Sequence, residues 1–306
     1  MGADPAPAIA APPDRVVDAV VVSYDSASTV DACLRAVLRQ PALATLQVVD
    51  NGSRDDTVAR VTAIAADDPR VRLIEQPGNP GFAAGCNAGA GAGRAPWLLF
   101  VNPDVELPDG ALARLLEHAT TFVDPSDVAR AARGLGALGA DLRDADGVRD
   151  PAARRRDLSF ARMLLALGRR DALDVPSDLR WVVQPVEACS GALMLVPRAA
   201  FDAVGGWDAG YRLHVEDLDF CRRLREVGFA IAVANDVAVL HHRGVSSRAR
   251  PCFVEWHKHR GLWRYWWRFE ARGAAALLAP LVAAALAARL LLVAWPKAAL
   301  RILGRA

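Results

Sequence analysis

The sequence predicts an α/β fold: a doubly wound, mostly parallel sheet with helices on both faces and further helices at the C-terminus. Three observations point there. Short β-branched runs alternate with helix-spaced segments through the first hundred residues. The order reads strand, helix, strand, helix, strand, helix, strand, and each strand run ends in a small cluster of polar residues. No internal repeat competes with this pattern.

Taken in order, residues 1–16 ("MGADPAPAIAAPPD" and the two that follow) are rich in Ala and Pro and lack the charged-then-apolar layout of a signal peptide, so a disordered lead-in is expected. "VVDAVVVSY" (16–24) has the length and branching of a strand, and "STVDACLRAVLRQ" (28–40) follows with helical spacing from a Ser28/Thr29 start. "LQVVD" runs as a strand to Asp50, Asn51-Gly52 turns, and a helix capped near Ser53 or Asp55 comes next. "VRLIEQ" (71–76) is a third strand, "GFAAGCNAGAGAG" (81–93) a Gly/Ala helix, and "WLLFVN" a fourth strand stopping at Asn102-Pro103-Asp104. Gly81, Gly85 and Gly89 recur at the spacing that suits close packing of helix on sheet.

Residues 125–187 are less patterned. "RDPAARRRDLSFARMLLALGRRDALD" joins a basic cluster to an apolar stretch, Phe160–Leu167, which reads first as an amphipathic surface helix and second as an element approaching a membrane or an acceptor's phosphate. "WVVQPVEACSGALMLVP" reads as strand, turn and strand. "YRLHVEDLDFCRRLREVGF" reads as a loop entering a helix, with Glu216, Asp217 and Asp219 where a helix dipole favours acids by roughly 0.3–1 kcal/mol. It follows "GGWDAGY", a Gly/aromatic stretch suited to a sugar-facing surface. The expected organisation is an α/β domain over 17–250, divided into 17–124, a variable insert 125–185 and 186–250, then a helical region 251–306.

Lys and Arg number 37 against 35 Asp and Glu, so net charge gives no argument for nucleic acid. The charge is uneven, however: between Arg243 and Arg272 eight basic residues face two acids, Glu255 and Glu270. Five cysteines (Cys33, Cys86, Cys189, Cys221, Cys252), odd in number and without CxxC spacing, read as buried thiols of a reducing compartment.

In open parallel sheets, ligands bind beyond the carboxyl ends of the strands. Ser23 and Asp25, Asp50 and Asn51, and Asn102 and Asp104 therefore converge on one crevice. A single Asp after a strand is ordinary turn chemistry; three at one edge favour a site. Neither GxGxxG nor GxxxxGK[ST] follows the first strand, so a diphosphate needs another source of positive charge. A divalent metal on one or two carboxylates fits, with Asp104 as a ligand.

"VVVSYDSASTVDACLRAV", "VVDNGSRDDT", "GNPGFAAGCNAG", "LLFVNPDVEL" and "GALMLVPRAAFDAVGGWDAGYRLHVEDLDFCRRLREVGFAIAVANDVAVLHHRGVS" together resemble a family 2 glycosyltransferase of the GT-A fold, most similar to the rhamnosyltransferase-like group of bacterial cell-wall and surface polysaccharide synthesis. The resemblance spans roughly residues 17–265. Asp25 stands where the family usually has Asn, and the DxD signature is reduced to Asn102-Pro103-Asp104. The resemblance implies that Ser23, Tyr24 and Asp25 lie along the nucleotide and that Asp50, beside Asn51, bonds the base. Asn79, Gly81, Phe82, Asn87 and Asn102 would line the nucleotide-sugar side. Asp217 would be the general base of an inverting transfer, with Glu216 orienting acceptor or base. Asp104 and His241, chosen by His-x-x-Gly-x-Ser spacing with His242 as the adjacent alternative, would hold Mg2+ or Mn2+, and Arg243 would pair with phosphate.

"EWHKHRGLWRYWWRFEARG" interleaves aromatic and basic side chains before "AAALLAPLVAAALAARLLLVAW", about the length of a membrane span but mostly Ala and carrying Pro280 and Arg289. An interfacial or re-entrant hairpin is preferred to a full span, with a soluble packing helix as a third reading. The expectation is an enzyme at the cytoplasmic membrane face that uses a nucleotide-diphosphate sugar, with dTDP-rhamnose favoured, and a polyprenyl-diphosphate-linked acceptor. An inactive nucleotide- or lipid-binding scaffold of the same fold is the alternative.

Overall fold

The computed structural model describes residues 14–123, 133–159, 162, 173–242 and 251–302. Most of the expected lead-in, the Phe160–Leu167 stretch apart from Arg162, and Arg243 lie outside the described residues.

Strand β1 (Val17–Ser23) is buried along its whole length and pairs in parallel with β2 (Leu43–Asp50) on one side and β4 (Trp97–Val101) on the other. β2 pairs in turn with β3 (Val71–Glu75). Helices α1 (Val30–Leu38), α2 (Thr57–Asp67) and α3 (Phe82–Ala92) are the crossovers. α3 lies close on the sheet because it has no side chains to hold it off: a Cβ on Gly85 or Gly89 would come within 2.7 Å of Val22 or 2.4 Å of Val20. The packing role expected of these glycines is thus present.

Beyond β4 the sheet changes direction. A short β5 (Val105–Glu106) and helix α4 (Ala111–Thr121) lead to β6 (Leu135–Arg143). The insert also supplies β7 (Arg154–Arg155) and β8 (Val183–Pro185), and then come β9 (Ala188–Cys189) and β10 (Leu193–Pro197). After α5 (Arg198–Ala203) and α6 (Glu216–Glu226) the chain closes with β11 (Ala230–His241). The strand order is β3-β2-β1-β4-β10-β6-β11-β5, with β8 also on β11 and β7-β9 as a separate pair. β10 runs antiparallel to both β4 and β6, while β6 and β11 are parallel. The first four strands form the wholly parallel half, and β10 joins it to the second half.

One part of the insert departs from expectation. Arg154 and Arg155, read as part of a surface cluster, form a strand against β9, and Arg154 is 2% exposed. At the C-terminus, α7 (Pro251–Phe269) and α8 (Ala279–Ile302) form a helical hairpin. Val282 and Leu286 of α8 join the cluster that contains Leu262, Tyr265, Trp266 and Phe269 of α7. Cys252 is exposed, whereas the other four cysteines are buried as expected.

Candidate active site

The register of β1 and β2 sets Ser23 opposite Asp50, and the Ser23 hydroxyl donates to Asp50 Oδ1 at 3.0 Å. Asp50 Oδ2 accepts the backbone N–H groups of Gly52 (3.0 Å) and Ser53 (2.8 Å), and the Ser53 hydroxyl also donates to Oδ1. A carboxylate offers about four acceptor positions, so these donors fill it. Asp50 shapes the loop beyond β2. Its buried neighbour Asn51 donates from Nδ2 to the Gly81 carbonyl (3.2 Å), and Asn51 Oδ1 has no partner among the described residues. That oxygen is an acceptor left open at the strand ends.

Asp25 has a left-handed backbone (φ 49°), a conformation Asn and Asp tolerate better than most residues. Its side chain accepts from Arg54 N at 2.8 Å and its N–H donates to Ser53 Oγ at 2.9 Å, a local role within reach of either Asp or Asn. Tyr24, just before it, is partly exposed. Asn79 is also left-handed (φ 47°). Gly81 has φ 108°, and a Cβ there would lie 2.5 Å from the Arg212 carbonyl oxygen. The loop entering α3 thus lies against the loop that precedes α6, and Phe82 meets Trp207 edge-on at 5.6 Å.

Asn87, expected on the nucleotide-sugar side, donates from Nδ2 to the Trp207 carbonyl (2.8 Å) and accepts the Trp207 N–H (2.9 Å), which ties α3 to that loop. One expectation needs correction here. The "GGWDAGY" stretch does not present a sugar-facing surface: Trp207 and Tyr211 are 2% and 1% exposed, and Trp207 stacks on Phe220 at 4.5 Å. The aromatics of this loop anchor it in the core, which fixes where α6 begins.

Asp104 and His241, distant in sequence, come together because β5 pairs with the end of β11. His241 Nε2 is 3.5 Å from Asp104 Oδ1, and Nδ1 is 3.3 Å from Asp150 Oδ2. Burial alone would lower the imidazole's pKa, but the two flanking carboxylates outweigh it and push it up to about 9. His242 turns away to Glu106 (2.6 Å), so of the two histidines His241 is the one that meets Asp104. Asp104 Oδ1 is buried and accepts no hydrogen bond. A buried carboxylate oxygen whose neighbour is an imidazole fits a divalent cation that would displace the ring proton and be completed by phosphate oxygens. Among the described residues no group of three or more His, Cys, Asp or Glu forms a cage, so phosphate and water would supply the remaining ligands. Asn102 holds the strand end in place: its N–H donates to the Ala192 carbonyl at 2.8 Å.

Glu216, Asp217 and Asp219 occupy the first turn of α6, as expected. Before it, His214 and Val215 are both left-handed (φ 65° and 74°); for a β-branched valine this is a strained conformation that the surrounding packing must enforce. Asp217 is ion-paired with Arg155, accepts Gly191 N–H at 3.2 Å on the same oxygen, and accepts Leu218 N–H at 2.9 Å on the other. Burial pushes its pKa up, but the Arg155 guanidinium outweighs that and holds it below the usual carboxylate range. Glu216 goes the opposite way: burial and the Asp217 charge raise its pKa, and its Oε2 is buried without a partner. Adjacent carboxyls driven apart in this way are suited to different tasks. Asp219 is fully buried, accepts from Tyr211 Oη (3.1 Å) and pairs with Arg223, so it is a structural hub more than a helix cap.

Sequence reasoning missed Arg155, Asp150 and the Gly191 N–H. The one signal was the arginine run 154–156.

Residues 18–163 match the family description "Glycosyl transferase family 2". The chain is 30% identical over 298 residues to N-acetylglucosaminyl-diphospho-decaprenol L-rhamnosyltransferase of Mycobacterium tuberculosis, covering 86% of this chain and 91% of that protein. It is 24% identical over 153 residues to rhamnosyltransferase WbbL of Escherichia coli, covering 50% of this chain and 54% of that one. The structure of mannosyltransferase PcManGT from Pyrobaculum calidifontis in complex with GDP-Man and Mn2+ superposes with a TM-score of 0.57 at 18% identity, over 98% of this chain and 83% of that chain, a likeness that speaks for the fold. With its acids gathered at the strand ends of a GT-A sheet and a relative matched nearly end to end, the chain belongs to glycosyltransferase family 2, in its rhamnosyltransferase-like group.

Proposed function

We propose that this glycosyltransferase moves rhamnose, with inversion, from dTDP-rhamnose to a polyprenyl-diphosphate-linked saccharide at the cytoplasmic face of the membrane, with the help of Mg2+ or Mn2+. The observation that carries the reading of the chemistry is Asp217: a carboxylate held ionised by Arg155, with three donors on its two oxygens and one acceptor position left for a hydroxyl. In this reading the acceptor hydroxyl gives its proton to Asp217 as its oxygen attacks the anomeric carbon from the face opposite the departing diphosphate. Glu216, favoured in its protonated form, orients acceptor or base. Ser23, Tyr24, Asp25 and Asn51 shape the nucleotide side, with Asp50 acting through the Gly52-Ser53 loop instead of touching the base. Asp104 and His241 would hold the metal, which when bound neutralises charge growing on the diphosphate.

The relative's printed name supports the sugar and the acceptor class. One helical stretch, Gly273–Val293, is long and apolar enough to cross a membrane, and only 11% of it is buried, which supports membrane association. The test is transfer from a panel of nucleotide sugars to polyprenyl-diphosphate N-acetylglucosamine, read by product mass. A product carrying one deoxyhexose only from dTDP-rhamnose is expected; transfer of another sugar, or none from any donor, sinks the donor assignment.

A further inference from the structure

A buried carboxylate is neutralised by a single guanidinium, yet Asp141, fully buried near the end of β6, has three. Arg154 donates to Asp141 Oδ1 at 2.7 Å from a side chain only 3% exposed and also bonds Asn235. That pair meets the need of the buried acid. Arg143 and Arg149 add their Nε groups at 2.8 and 3.0 Å, from side chains each 36% exposed. The two arginines face each other across an antiparallel bridge, where like charges directly opposed destabilise. The nearest hairpin acids do not relieve them: Asp144 Oδ1 accepts the N–H groups of Asp146 and Val148, and neither Asp144 nor Asp146 pairs with arginine among the described residues. The Nη groups of Arg143 and Arg149 likewise make no hydrogen bond among the described residues, so two planar forks, each pinned through Nε, present free donors at the surface.

Pinned guanidiniums with open Nη donors match paired phosphate oxygens, because the fork binds two oxygens at once and little side-chain freedom remains to be lost. The position suits this. Asp150, the residue after Arg149, bonds the Leu142 carbonyl through its N–H (2.8 Å) and meets His241 Nδ1 through its side chain, which joins the arginine hairpin to the His241–Asp104 corner. We propose that Arg143 and Arg149 form a diphosphate-docking fork anchored on Asp141. Only the source of the diphosphate rests on the reading above: it is the nucleoside diphosphate of the donor or the polyprenyl diphosphate of the acceptor.

The test begins with inorganic pyrophosphate, titrated calorimetrically into the full chain in metal-free buffer. This needs no turnover, so it stands or falls independently of the rhamnosyl assignment. The double variant R143Q/R149Q is expected to bind on the order of 10- to 100-fold more weakly, and R143K/R149K, which keeps charge without the fork, to fall between. Arg154 still neutralises Asp141 in both, so the thermal midpoint should move little. Pyrophosphate binding that is the same in wild type and R143Q/R149Q, or that is lacking in wild type, overturns the proposal and leaves the arginines as braces of Asp141. Steady-state arms then locate the source. A raised KM for polyprenyl-diphosphate N-acetylglucosamine, with none for an alkyl N-acetylglucosaminide lacking phosphate, assigns the fork to the acceptor; a raised KM for the nucleotide sugar assigns it to the donor.

Discussion

Asp217 differs from the other acids of its helix in what it is bonded to. Asp219 is locked in the core, Glu216 is driven towards its neutral form, and Asp217 alone is kept ionised with an acceptor position free. Replacing Asp217 with Asn should remove most of the ~10²- to 10⁴-fold contribution of a general base while leaving donor KM nearly unchanged; equal turnover would end that assignment. Arg155 makes the prediction sharper. A carboxylate whose folded pKa is depressed keeps its charge into acid, so the acid limb of kcat/KM should lie below the ordinary carboxylate range. In Arg155→Met, burial is opposed only by the Gly191 and Leu218 N–H groups and the limb should move to higher pH, whereas Arg155→Lys, which retains the charge, should move it less. An unshifted limb in both variants means Arg155 does not set the base. At the metal corner, Asp104→Ala should weaken Mn2+ binding followed by electron paramagnetic resonance, and chelator should abolish transfer. Full activity in excess chelator would hand the diphosphate to arginine alone. These roles were half legible: Asp217, Asp104 and His241 sit in recognisable motifs, but Arg155 lies 62 residues from its partner, and no local pattern announces a pairing at that distance.

Among the elements, the parallel half could be read because its physics is local. Continuous apolar runs become strands buried on both faces, and Gly85 and Gly89 let α3 lie close to β1. The segments that failed expectation did so for tertiary reasons. A two-residue strand such as β7 has no period of its own and forms because β9 is there, and the direction of "GGWDAGY" was set by Phe220 and Phe82 closing on Trp207. Asn87 makes this testable. Asn87→Ala leaves the Trp207 N–H and carbonyl unpaired in a partly buried place, so it should lower unfolding stability by about 1–3 kcal/mol in denaturant titration, with donor KM little changed. A raised donor KM at unchanged stability would return Asn87 to the sugar site. Asp219→Asn should be worse, about 3–5 kcal/mol, because it strands the guanidinium of Arg223 in the core; measured beside Asp217→Asn, it separates loss of fold from loss of chemistry.

Over the whole molecule, the open question is what the C-terminal hairpin faces. The basic and aromatic residues of α7 were expected to meet lipid, yet Arg264 and Arg268 pair with Asp208, Tyr265 and Trp266 are buried, and Trp256 and Trp267 remain exposed. Two of the features that argued against a full span lose force. Pro280 lies in the first turn of α8, where a missing N–H costs nothing, and Arg289 is turned to His259 of α7 at 2.9 Å. With Val282 and Leu286 packed inward, the outward side of the hairpin shows Leu277, Leu281, Leu291 and Leu292, each 68–82% exposed. Such exposed leucines are where a bilayer would be met. Since α8 packs along α7, and α7 is fastened to the catalytic domain through Asp208 and Asp157, the hairpin should lie in the interface with its leucines down. The triple variant Leu277→Gln/Leu281→Gln/Leu292→Gln touches no buried contact, so its thermal midpoint should match the wild type. Its binding to vesicles containing anionic lipid should fall steeply, with transfer to lipid-linked acceptor falling more than slow hydrolysis of the donor by water. High salt should release only part of the wild-type protein, because apolar burial is not screened, whereas the attraction of exposed Arg272 beside this surface to anionic lipid is. Unchanged vesicle binding in the triple variant would show that the leucines are not the contact, and large release by salt alone would shift the attachment to the basic residues of α7.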